Sequence, residues 1–167
     1  MMIQNKHDWV WKISLGVFLI LGLASCAEEI EPNITPMAEL IFFVEDEAGN
    51  PIADATVILF PFQSSYNEYK DNNRDGSYTG SPNVANNNIG TTDASGRLAF
   101  PAMDLQGNGF ASGTQWVYRP NPIYVRVEAF NQNSFLTNDD DAESTRIAFG
   151  ELGSGDFVTV TTDVVVK

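Results

Sequence analysis

The sequence predicts an all-β protein. It reads as one antiparallel sandwich of about seven short strands over residues 38–167, with a long polar loop at 62–89 after the second strand. Two observations predict this, and a third says how the fold must be held. Apolar residues fall in short runs, one of them cleanly alternating, and no segment after residue 37 keeps a helical period. Dense Asp, Asn, Gly and Pro clusters separate the runs, as turns do. The single cysteine, Cys26, rules out an intrachain disulfide, so the fold must hold by core burial. A domain of about 130 residues buries roughly two-thirds of its unfolded surface, which is sufficient without staples.

The elements follow in chain order. Glu39–Glu45 (ELIFFVE) is a short, near-continuous apolar and aromatic run, as a buried strand requires, and Asp46 to Pro51 is a turn signal. Thr56–Phe60 (TVILF) is the second strand, ended by Pro61. Gly90–Asp93, the turn Asp93-Ala94-Ser95-Gly96 and Arg97–Phe100 read as a hairpin. Thr114–Tyr118 is a further strand, and Pro120 and Pro122 break the ladder after it because proline has no N–H to donate. Ile123–Phe130 alternates: Ile123, Val125, Val127 and Ala129 on one face, Tyr124, Arg126, Glu128 and Phe130 on the other. Thr145–Phe149 is a short candidate, and the β-branched Phe157–Val166 is the last strand.

Three stretches carry a family resemblance. Val44-x-Asp46-x-x-Gly49-x-Pro51-Ile52-x-x-Ala55-x-Val57-x-Leu59, then Thr92-Asp93-x-x-Gly96-x-x-x-Phe100, then Tyr124-Val125-x-Val127-x-Ala129 together resemble the carboxypeptidase regulatory-like domains. These group with the transthyretin-like (prealbumin-like) and Cna-B-like sandwiches, so the resemblance implies an Ig-like sandwich used as a structural or recognition unit. Two departures stand out. Asp54 occupies a position where the family usually has glycine, and residues 62–89 form an unusually long polar excursion.

The first 25 residues read as a leader. Lys6, His7 and Lys12 precede an apolar run, Ile13 to Leu23, of 11 residues. That is too short to span a bilayer and suits a signal peptide. Leu23-Ala24-Ser25-Cys26 resembles the lipobox of bacterial lipoproteins, which implies cleavage before Cys26 and acylation of that residue. Three acyl chains would anchor the protein firmly where one holds only marginally. Ala27-Glu28-Glu29-Ile30-Glu31 resembles the acidic export signal of Bacteroidota lipoproteins, which implies the outer face of the outer membrane. Residues 26–37, with Pro32 and Pro36, read as an acidic, flexible tether.

The chain is acidic, at −13 overall. Removing residues 1–25 takes Lys+Arg from 9 to 7 and Asp+Glu from 22 to 21, a net charge of about −14. Nucleic acid is therefore not an expected partner, since phosphates repel such a surface. The membrane through the lipid, and a protein or glycan at the cell surface, are. After the leader the chain has no histidine and no thiol besides Cys26, which removes Ser/His/Asp, Cys/His and histidine-metal schemes. The expectation is a domain that is not an enzyme.

The excursion holds the remaining chemistry. Asp71-Asn72-Asn73-Arg74-Asp75-Gly76 resembles the first half of a calcium loop, with oxygens from Asp71, Asn73 and Asp75, although Pro82 stands where the bidentate glutamate belongs. Calcium is accordingly the one candidate cofactor, and a hydrated turn is the alternative. The run Asp139 to Glu143 is a second acidic loop. Tyr66, Tyr69 and Tyr78 offer flat faces on which a sugar ring could stack, and Phe110, Trp116 and Tyr118 lie near later loops or close the core.

Overall fold

Alternation sets the two layers. In a computed structural model, which describes residues 34–113, 115–131, 134–138 and 146–167, strand β1 (Met37–Asp46) turns Ala38, Leu40, Phe42 and Val44 inward. The side chains of β2 (Thr56–Phe60) do the same with Val57 and Leu59, and those of β7 (Ile123–Asn131) with Val125, Val127 and Ala129. Phe42 meets Phe100 edge-on, with ring centroids 5.8 Å apart. Each fully buried side chain of this size contributes about 1.5–3 kcal/mol relative to leaving it in water.

One sheet has the order β11-β1-β4, from β11 (Phe157–Val166) and β4 (Arg97–Asp104). The second runs from β3 (Ile89–Thr91) through β2 and β7 to β8 (Ser134–Thr137), with β9 (Arg146–Ile147) also on β7. A third, small sheet joins β5 (Gly107–Ser112), β6 (Gln115–Pro120) and β10 (Leu152–Gly153). The chain is thus an all-β sandwich, with more strands among the described residues than expected, the additional ones short. Strands β5, β8 and β10 escape sequence reading because they are glycine-rich or very short and take their shape from their partners.

Three details correct the sequence reading. The sandwich is not wholly antiparallel: β1 pairs with β11 in parallel along its full length. Asp93 to Gly96 is a tight turn, but it joins strands of different sheets, since β3 pairs with β2 and β4 with β1. Residues 34–36, expected to be tether, bond into the domain. Ile34 N donates to Ser154 Oγ (2.8 Å), and Pro36 O accepts from Leu105 N (2.9 Å).

The turns repeat one device. Asp46 Oδ1 accepts from the N–H groups of Ala48 (2.9 Å) and Asn50 (2.8 Å), and Asp93 Oδ1 from those of Ser95 (2.8 Å) and Arg97 (3.0 Å). Hydrogen bonds led by the Asn50 side chain and the Ser95 hydroxyl hold both carboxyls below the usual range. Gly96 has φ +72°, and a Cβ there would collide with the Val44 carbonyl oxygen. Asp54, where the resembled pattern has glycine, has φ 58°, the left-handed region that glycine enters freely and aspartate tolerates.

The long polar excursion is not only loop. Gln63–Asn72 is an α-helix, α1. Its sequence hides this because Tyr66 and Tyr69 are the helix's only apolar side chains in the small core beneath it, too few for a clear period. Among the described residues no helix is long and apolar enough to cross a membrane.

Candidate functional site

Strands β2 and β7 carry a second set of side chains on the face away from the sandwich core: Ile58 and Phe60 on β2, and Tyr124, Arg126, Glu128 and Phe130 on β7. The alternating reading of β7 places these four together correctly. What it lacks is the layer above them. Helix α1 and the loop after it lie along this face, matching its apolar, charged and aromatic positions in turn.

At the apolar end, Tyr66 rests edge-on against Phe60 (5.8 Å) and tilted against Tyr124 (6.1 Å). It is 0% exposed. This corrects the expectation of a ligand-stacking tyrosine: Tyr66 is the plug of a second small core, and its hydroxyl has no hydrogen-bond partner. Tyr69 is partly buried and stacks on Phe60 at 5.6 Å.

In the middle lies a buried polar network. Arg126 Nε is 3.2 Å from Glu128 Oε1. Glu128 Oε1 also accepts from Asn73 Nδ2 (2.8 Å), and its Oε2 accepts from the Tyr69 hydroxyl (3.2 Å). The Arg126 guanidinium donates to the Asn73 carbonyl (3.3 Å), while Asn73 Oδ1 accepts from Tyr78 N (3.2 Å). Asn73, at the end of α1, therefore ties helix, strand and loop at once. Burial, then the Glu128 carboxylate beside it, pushes the Tyr69 hydroxyl up to about 12, because both disfavour the phenolate.

At the far end the loop seats its backbone on aromatic rings. Gly76 has φ +73°, and a Cβ there would lie 2.6 Å from the Phe135 ring and 2.9 Å from Phe130. Phe130 and Phe135 stack at 5.2 Å, and Phe130 remains 68% exposed. Tyr78 meets Tyr69 edge-on at 5.7 Å and is 39% exposed. Of the three expected tyrosines, only Tyr78 offers a substantial open face. Phe130 does so more fully and was not expected. The signal available for it was the outer face of β7 itself, which pairs two aromatics with an ion pair.

The oxygens expected to meet at one cation each have another partner. Asp71 bonds Arg74 at 2.9 Å, Asn73 is buried in the network, and Asp75 Oδ1 accepts from Ser77 N (3.1 Å) and Oγ (2.6 Å). Hydrogen bonding, chiefly from the Ser77 hydroxyl, holds the Asp75 carboxyl below its usual range. Among the described residues no three His, Cys, Asp or Glu side chains group as metal ligands. The later aromatics lie on the β5–β6 hairpin rather than on loops. Tyr118 is buried and donates to Leu105 O (2.7 Å), and the Arg119 guanidinium lies 4.7 Å above Phe110. Cys26 with Leu23, Ala24 and Ser25, and the acidic run 139–143, lie outside the described residues.

No family model matches the chain, and no curated protein matches it. Solved structures do. A 3-chlorocatechol 1,2-dioxygenase from Rhodococcus opacus 1CP aligns with TM-score 0.42 and 14% identity over 81% of this chain and 61% of its own. A catechol 1,2-dioxygenase from Acinetobacter radioresistens aligns with TM-score 0.37 and 14% identity over 84% of this chain and 55% of its own. A proposed carbohydrate-binding protein from Pseudomonas aeruginosa aligns with TM-score 0.33 and 12% identity over 82% of this chain and 92% of its own. The chain thus spans between 55% and 61% of the length of these two dioxygenases. Enzymes stand among the structures the domain is similar to, and the expectation that it is not an enzyme is withdrawn. At this identity and TM-score the similarity assigns no reaction to the chain.

Proposed function

We propose that this chain is a bacterial lipoprotein, cleaved before Cys26, acylated there and carried to the outer face of the outer membrane, where its sandwich serves as an interaction module. The leader and the acidic residues after Cys26 support the location. The observation that carries the interaction role is the aromatic rim at the end of α1. Phe130 is 68% exposed on a ring-stacked base, and Tyr78 is open beside a loop pinned by Asn73. Rigid, exposed aromatics bury large area at low entropic cost, which is how binding surfaces obtain their anchors.

Two experiments test the two halves. Cys26→Ser should lower the mass of the purified protein by its lipid and move it out of the detergent phase; unchanged mass and partitioning exclude the anchor. A photoreactive phenylalanine analogue at Phe130 in intact cells should give an adduct with an envelope component. No adduct there or at Tyr78 removes the rim as the contact surface.

A further inference from the structure

Away from that rim, an open cleft of about 420 Å³ lies where the end of β4, the start of β7 and the 3-10 turn Asn86–Asn88 meet. Clefts of roughly 300–1,000 Å³ with an apolar lining and a few placed polar groups are the usual form of small-ligand sites. Pro61, Ala102, Met103 and Ile123 supply apolar wall. Asn87, Asn88, Gln106 and Asn121 line it with four amides, and Asp104 adds one carboxylate. Among the described residues no lysine, arginine or histidine lines it.

We propose that this cleft is a binding site for a neutral carbohydrate. Each amide offers two donors and an acceptor, which suits ligand hydroxyls that both donate and accept. Among the described residues none of the four amide side chains has a hydrogen-bond partner within the protein, so they are free to meet a ligand. With one carboxylate and no cation at the wall among the described residues, in a chain of net charge −13, an anionic ligand is repelled. The apolar wall suits the C–H face of a sugar ring.

The frame around the cleft is fixed by the backbone. Asn121 N donates to Gln106 O (2.6 Å), Leu105 N donates to Pro36 O (2.9 Å) and Asn88 N donates to Ala85 O (2.9 Å). The Tyr118 hydroxyl holds the Leu105 carbonyl from below (2.7 Å). Three of the four amides, those of Asn88, Gln106 and Asn121, are therefore carried by residues whose own backbone is hydrogen-bonded, so the backbone needs little ordering on binding and the cost falls on the side chains.

The test uses the full lipoprotein in detergent on an array of neutral oligosaccharides and of uronate- or sulfate-bearing ones. Binding should be confined to neutral glycans. Asn121→Ala together with Asn88→Ala should weaken it about tenfold or more, and Ala102→Trp, which fills the cleft, should abolish it, with melting temperatures unchanged. Phe130→Ala should leave it intact, which separates this site from the aromatic rim. Absence of binding to any neutral glycan, preference for the anionic ones, or full retention in both cleft variants overturns the proposal.

Discussion

Arg126 and Glu128, two residues apart on the outer face of β7, form an ion pair of 3.2 Å beneath helix α1, with side chains only 2% and 10% exposed. Removing Glu128 leaves the buried Arg126 guanidinium without its carboxylate. Glu128→Ala is expected to destabilise the domain by about 3–5 kcal/mol, whereas replacing both with apolar residues of similar volume should cost far less. Urea unfolding of the two variants checks this. Equal losses would mean that the pair is solvated in the native state.

Tyr69 gives the pH dependence. Its folded value of about 12 exceeds the ordinary 10.0. The folded state then holds the proton more tightly than the unfolded chain. The stability this contributes is level below pH 10 and falls as pH rises toward 12. Melting temperature measured from pH 9 to 12 should drop more steeply in the parent protein than in Tyr69→Phe. Parallel curves would contradict the raised value, and with it the combined effect of burial and the Glu128 carboxylate.

Tyr66 separates packing from hydrogen bonding. Its ring is fully buried against Phe60 and Tyr124, but its hydroxyl is unpartnered. Tyr66→Phe should be neutral or slightly stabilising, because the buried hydroxyl has no bond to lose. Tyr66→Ala should cost about 3–5 kcal/mol through the cavity it leaves. Chemical denaturation of the pair decides it. A large loss in Tyr66→Phe would mean that the hydroxyl is bonded after all.

Asp54 tests the backbone. At φ 58° a side chain without aspartate's tolerance for the left-handed region is strained. Asp54→Ala should destabilise by about 1 kcal/mol, while Asp54→Gly should match or slightly exceed the parent. Thermal unfolding of both variants measures the difference. Equal effects would place the cost in the side chain and not in φ.

The sequence by itself determined the sandwich. Strands Thr56–Phe60 and Phe157–Val166 appear where their β-branched and apolar runs put them, and the turns at Asp46 and Asp93 follow from local side-chain bonds to backbone N–H groups. The two faces of β7 were also legible, because alternation is a local property. The tertiary structure alone decided what covers the outer face. Helix α1 contacts the sheet through few residues, so its pattern reads as polar loop, and only docking reveals that Tyr66 is core, that Asn73 is a network hub and that Phe130 stays open. The parallel pairing of β1 with β11 and the meeting of four amides at one cleft likewise join residues distant in the chain. Local propensity carries no record of such partners. Long-range packing decides them.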